Sequence, residues 1–214
     1  MIACLNSNTY SNNEIVKLLL ENGSDPNIKN LAGDTATIIA CMYSNTSSTI
    51  ETVKVLLKYG ADINLKNNKG WTALILACRY VNTYSNPETI KLLLNQNNID
   101  VNVISNYTES NALMLLCQYN SNQHEIAKLL KSKTNLNHKN YQNKKIEDIC
   151  LPEYKKLFIR NWVTVFNDYN TIISECIICA NENIKCILCN HGHTTCYECL
   201  DNLKFKCEGC QLVL

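Results

Sequence analysis

NNKGWTALILACRYVNTYSNPETIKLLLNQ, residues 67–96, decides the fold. It holds two apolar blocks, TALILAC and TIKLLL, separated by the polar loop NTYSN and led by a turn at Gly70. In TALILAC, Leu74, Leu76 and Ala77 read as the core face of a short helix, alternating with less buried positions. Outward from this stretch the pattern repeats. IVKLLL, TVKVLL and EIAKLL match the second block and place Lys17, Lys54, Lys91 and Lys128 at steps of 37. MIAC, ATIIAC and ALMLLC match the first, and their cysteines continue to Cys150. Cys4, Cys41, Cys78, Cys117 and Cys150 stand 37, 37, 39 and 33 residues apart. Self-similarity at such a period marks a solenoid. Each unit predicts helix, loop, helix, turn, with Gly23, Gly60 and Gly70 at helix ends and turns. Asp25, Asp62 and Asp100 fall in the turns GSDPN, GADIN and NIDVN, where a short carboxylate bonds nearby backbone amides. One such unit cannot bury its apolar faces; stacked neighbours can.

These blocks resemble the ankyrin repeat, most closely in NNKGWTALILAC with ETIKLLLNQ and in VKVLLKYGADINLKN. Of that family's Thr-Pro-Leu-His opening the chain keeps Thr35 and Thr72, puts Ala36 or Ala73 for the proline, and Ile38, Ile75 or Met114 for the histidine. The units run longer than usual, and the excess lies in the helix-to-helix loop, where length costs little. A tetratricopeptide array is the rival helical repeat, and the GADIN turn argues against it. The five repeat cysteines share one slot, where the family has a small buried residue. They read as core filler, since a free cysteine behaves as a small apolar side chain. Met1 aligns with Ile75, so the first unit starts partway along its first helix. The last, KKIEDIC, carries Glu147 and Asp148 where the others are apolar, as a capping unit would.

Charge narrows the function classes. Residues 1–150 carry 14 basic and 12 acidic groups, 151–175 carry 3 and 3, and 176–214 carry 3 and 4. No segment is basic enough to favour nucleic acid or an anionic membrane. No apolar run reaches the ~18 residues that span a bilayer, and MIACLNSNTY has no signal-peptide pattern. The expectation is an intracellular protein, cytoplasmic or nuclear, with no nucleic-acid or membrane partner. The 32 asparagines read as loop and turn usage with an AT-rich coding bias.

Residues 151–175 change character. After Pro152, which suits a first helical turn, Phe158, Trp162, Val165, Tyr169 and Ile172 form one apolar stripe. The stripe suits packing on the last repeat, or pairing with a second copy of the chain.

From Cys176 the chain reads CIICANENIKCILCNHGHTTCYECLDNLKFKCEGC, with four CxxC pairs and two histidines. Thiolates in a reducing compartment do not form a disulfide framework, and ten possible ligands in 35 residues point to zinc. Taking Cys189 and His193 as the third and fourth ligands gives C-x2-C-x9-C-x3-H-x2-C-x2-C-x7-C-x2-C. This resembles the RING finger, in the short form of the inhibitor-of-apoptosis proteins. An all-cysteine register using Cys186 leaves poor RING gaps, and a PHD-finger register strands Cys199. The resemblance implies two interleaved zinc ions: Cys176, Cys179, Cys196 and Cys199 on one, Cys189, His193, Cys207 and Cys210 on the other. It leaves Cys186 spare and His191 facing solvent.

Most RING domains act as ubiquitin ligases, by holding a ubiquitin-charged conjugating enzyme in a reactive pose. The resemblance implies contacts from Ile178 and Leu203 to that enzyme. Two positions depart from the pattern: Glu208 stands where many active members have proline, and Gln211 where many have arginine. No glycine-rich phosphate loop or HExxH motif is present, and His124 and His138 read as isolated surface residues. The expected fold class is mostly α: an ankyrin-repeat α-solenoid over 1–150, an amphipathic connecting helix over 151–175, and a small zinc-stabilised α+β RING domain over 176–214. The expected function is a RING-type ubiquitin ligase whose repeats bind a protein substrate, with a non-catalytic adaptor as the alternative. Such pairings of ankyrin repeats with a RING occur in eukaryotes and in their large DNA viruses, and the asparagine-rich composition looks like the viral kind.

Overall fold

Threonine and asparagine set the helix starts. In the computed structural model, which describes residues 1–9, 12–158, 186–188, 194–196, 206–207 and 212–213, Thr35 Oγ1 accepts the amide of Ile38 at 3.3 Å and Thr72 Oγ1 that of Ile75 at 3.3 Å. Asn111 does the same for Met114 at 3.0 Å. Each N-cap satisfies one of the orphan donors of a helix's first turn. The helices they open are α3 (Ala36–Met42), α5 (Ala73–Arg79) and α7 (Ala112–Tyr119). Together with α1 (Ile2–Leu5) and α9 (Ile146–Ile149) these are the inner helices, each packed on the next in sequence order.

The outer helices are α2 (Asn13–Glu21), α4 (Ile50–Lys58), α6 (Pro87–Leu94) and α8 (His124–Lys133). Each rests on its own inner helix, and each after the first also packs on the outer helix before it. α10 (Pro152–Phe158) packs on α9 and α8 in the same way, so it is the outer helix of a fifth pair. The compact unit therefore runs Met1–Phe158, past the expected boundary at 150 and into the segment read as a connector. Tyr154 and Phe158 are its buried residues. Trp162, Val165, Tyr169 and Ile172 lie outside the described residues. Among the described residues no helix is long and apolar enough to cross a membrane.

The central inner helix, α5, is buried all round. Ala73 to Cys78 are all shielded from solvent, so no side of TALILAC is the less buried one. Its two neighbouring inner helices and its own outer helix enclose it. Ile38, Ile75 and Met114, at the family's histidine position, are core residues.

The second compact unit, Ile159–Leu214, contributes two antiparallel strand pairs. β1 (Cys186–Leu188) pairs with β2 (Thr194–Cys196), Cys186 opposite Cys196 and Leu188 opposite Thr194. β3 (Lys206–Cys207) pairs with β4 (Leu212–Val213).

Candidate functional site

Between one unit's outer helix and the next unit's inner helix the chain makes a finger-like turn, and one asparagine organises it. Asn30 Oδ1 accepts the amides of Ala32 and Asp34, both at 2.9 Å. Asn67 does so for Lys69 and Trp71, and Asn140 for Gln142 and Lys144, all at 3.0 Å. The turn then needs a left-handed residue: Gly33 (φ 80°), Gly70 (φ 76°) or Asn143 (φ 60°). Successive fingers touch. Asn68 donates its amide to the carbonyl of Ala32 at 3.1 Å, and Asn106 to that of Lys69 at 3.0 Å.

A second row runs beside the fingers. Asp25, Asp62 and Asp100 accept the amides of Asn27, Asn64 and Asn102 at 2.8, 2.9 and 2.9 Å, as the turn motif predicts. Each of those asparagines then reaches the following unit. Asn27 Oδ1 takes the amide of Asp62 at 2.7 Å, Asn64 that of Asp100 at 2.9 Å, and Asn102 that of Asn135 at 2.7 Å. Asn64 also donates Nδ2–H to the carbonyl of Asn98 at 2.7 Å. The asparagines are thus a ladder between units, which the reading of them as loop usage missed. An amide carries both a donor and an acceptor on one short stem, so one side chain can bond two backbones.

The first, third and fourth fingers present an apolar side chain to solvent, and the second carries Asn68 and Lys69. Leu31 is 102% exposed, Tyr107 72% and Tyr141 59%. Trp71 lies half-buried at the finger base with the Lys69 ammonium 5.4 Å from its ring centre. Exposed aliphatic and aromatic side chains on these turns are candidate contacts for a protein partner. The sequence signal was an apolar residue directly after the turn asparagine, at Leu31 and Tyr141.

The repeat cysteines are not a site. All five are free and buried. Burial pushes the thiols of Cys4, Cys41, Cys78, Cys117 and Cys150 above their usual range, so the nucleophilic thiolate is suppressed. The two repeat histidines are not isolated. His124 stacks on Tyr154 with ring centres 5.0 Å apart, and its Nε2 lies 3.2 Å from the Glu153 carbonyl. His138 Nε2 bonds the carbonyl of Glu109. Both join one unit to another.

Of the expected zinc ligands, Cys196 lies in β2 and Cys207 in β3. Cys176, Cys179, Cys189, His193, Cys199 and Cys210 lie outside the described residues, as do Ile178 and Leu203. Among the described residues no three His, Cys, Asp or Glu side chains gather into a metal-binding group.

Comparison with known families assigns the repeats. Residues 1–105 match the family described as ankyrin repeats (3 copies). No curated protein matches the chain. Ankyrin repeats generally bind protein partners, so the match over residues 1–105 points to protein–protein interaction.

Proposed function

We propose that the chain is a RING-type ubiquitin ligase, with the repeat array holding a protein substrate and the C-terminal unit recruiting a ubiquitin-charged conjugating enzyme. The observation that carries the reading is the eight-ligand spacing from Cys176 to Cys210. The strand pairs supply a test of fit. Ladders of three and two residues bury too little apolar surface to stand alone, and domains of this size take a metal as a staple. The five residues between β1 and β2 in sequence include Cys189 and His193, and the four between β3 and β4 include Cys210, three places after Cys207 of β3. Seven thiolates and one imidazole suit two closed tetrahedral sites, where zinc supplies folding energy and no chemistry.

In this reading Cys176, Cys179, Cys196 and Cys199 hold one ion and Cys189, His193, Cys207 and Cys210 the other. Ile178 and Leu203 offer the apolar contact to the conjugating enzyme. No residue of the chain forms a bond to ubiquitin. Rate comes from holding the charged enzyme and the substrate lysine together. The exposed fingertips, Leu31, Tyr107 and Tyr141, are the substrate-facing side chains.

The test is autoubiquitination of the full chain with a panel of conjugating enzymes, comparing wild type with Ile178→Ala and Cys196→Ala. Chains formed by wild type and lost in both variants support the reading, and no chains with any enzyme sinks it. Elemental analysis tests the metal separately, with two zinc ions per chain expected. Glu208 and Gln211 favour a second reading, a non-catalytic adaptor whose zinc domain only folds and docks. Zinc at full content with no conjugating enzyme retained in a pull-down would select it.

A further inference from the structure

The edge of the array opposite the fingers carries a feature that neither the repeats nor the zinc reading uses. There the inner helices end on tyrosine: Tyr43 follows α3, Tyr80 follows α5, and Tyr119 ends α7. Each sits two residues after a slot cysteine. Tyr84, from the loop after α5, packs edge-on between two of them, its ring centre 6.0 Å from Tyr43 and 5.8 Å from Tyr80. Arg79 continues the row. Its guanidinium carbon lies 4.2 Å from the ring centre of Tyr119 and 5.6 Å from that of Tyr80. Five side chains from three units thus make one unbroken strip, with Tyr84 and Tyr119 about half exposed.

Arg79 is the odd member. The chain has 18 lysines and 2 arginines, and Arg79 is the single arginine before residue 159. The ion pairs of the repeat unit are Lys17–Glu21, Lys54–Glu51 and Lys91–Glu88; among the described residues Arg79 pairs with no carboxylate. The loops at this edge, residues 43–49, 80–86 and 118–123, contain no charged side chain. Glu153, an acid of the fifth unit, accepts the backbone amide of Asn122 at 2.6 Å. The Nε of Arg79 is shut from solvent without an acceptor. A positive charge near a helix C-terminus is favourable in itself, and a lysine would serve that purpose. Two flanking rings do more. They pack against the partly buried guanidinium and limit its freedom, which favours its capture of a carboxylate.

We infer that this strip is a second protein-docking surface, for a segment that presents an aspartate or glutamate beside an apolar residue. The carboxylate takes the two-pronged bond from Arg79, and the apolar neighbour lies on Tyr84 or Tyr119. Charge complementarity selects the occupant: an unpaired, ring-held cation in an uncharged aromatic edge. Tyrosine and arginine are also the side chains that dominate binding energy at interfaces. The inference does not depend on the ligase reading.

A random peptide library displayed on phage, panned against the full chain, tests it. The pool should enrich for Asp or Glu next to a large apolar residue. A synthetic copy of the winning peptide should bind Arg79→Gln about tenfold or more weakly, the scale of losing a charge-assisted pair. Replacing the peptide's acid with its amide should cost as much, and the two changes together should cost no more than one. Arg79→Lys keeps the charge and loses the fork, so it should fall between wild type and Arg79→Gln; it also serves if Arg79→Gln fails to fold. No enriched peptide, enrichment without an acid, or equal binding to wild type and Arg79→Lys and Arg79→Gln overturns the inference.

Discussion

Two glycines with the same backbone angle should respond very differently to alanine. Gly60 (φ 82°) and Gly70 (φ 76°) both hold the left-handed conformation, which costs an L-residue about 1 kcal/mol. Around Gly60 an added Cβ meets nothing within 4 Å. At Gly70 it would stand 2.8 Å from the backbone nitrogen of Asn106 and 2.6 Å from its Cγ. Backbone cannot yield as a side-chain tip can, so the third finger must retreat. Retreat stretches the Asn106 N–H bond to Lys69 (3.0 Å) and the Asn106 Nδ2–H bond to Asn68 (3.3 Å). At about 1 kcal/mol each, their loss brings Gly70→Ala to about 3 kcal/mol, against about 1 kcal/mol for Gly60→Ala. Urea unfolding of the full chain, followed by far-ultraviolet circular dichroism, measures both. The midpoint should drop about three times as far for Gly70→Ala with an unchanged slope. Equal shifts would show that the fingers do not press on one another, and the ladder account would fail.

Three other outcomes follow from the same geometry. Asn64→Ala removes the acceptor for Asp100 and the donor to Asn98, so it should cost about 1–3 kcal/mol in urea unfolding, far beyond an ordinary turn substitution. Tyr154→Phe should destabilise by about 1–2 kcal/mol, because the hydroxyl both donates to the Asn120 carbonyl (2.7 Å) and accepts from the Gln123 amide (2.8 Å); thermal melts should show it. Stability should fall as pH rises above about 9. The buried thiols and Tyr154, whose phenol is pushed up to about 12 by burial, keep their protons in the folded chain after the unfolded chain has lost them, from 9.0 for the thiols and 10.0 for the tyrosine. Folding therefore binds protons in that range, and the stabilisation present below it is lost between pH 9 and 12. Urea midpoints from pH 7 to 11 in the presence of a reductant measure the slope, and a flat profile would contradict the buried-thiol column.

The solenoid was legible because its signals are local and periodic. A cysteine every 37 or so residues and a lysine at the same step mark fixed places in a helix pair. Asp62 in GADIN names its own hydrogen bond. What escaped was anything that reaches across units. Asn64 looks like any loop residue until Asp100 lies beside it, 36 positions on. The fifth pair escaped because its loop collapsed. Six residues separate Cys117 from His124, whereas Cys150 and Pro152 enclose Leu151 alone. That shift broke the period, and Tyr154 is buried in its outer helix where the four earlier outer helices bury no aromatic residue. The proposed zinc ligand set rests on spacing alone. The strip around Arg79 rests on which rings meet, which sequence carries only as a tyrosine two places after a cysteine.

The long helix-to-helix loops are not idle slack. Ser7 and Ser44 are buried there, bonded to the carbonyls of Cys4 and Cys41 at 3.1 Å. Thr52 of the second unit donates to Ser7 at 2.7 Å, and Thr89 of the third to Ser44 at 2.8 Å. Asn120 continues the line to the Cys78 carbonyl at 2.9 Å. The array is therefore fastened along both margins, amide to backbone at one and hydroxyl to hydroxyl at the other. A strip stapled on one side opens like a fan; stapled on both, it keeps its pitch. A partner meeting Leu31, Tyr107 and Tyr141 meets a ruler, and must match the interval between marks as well as the marks.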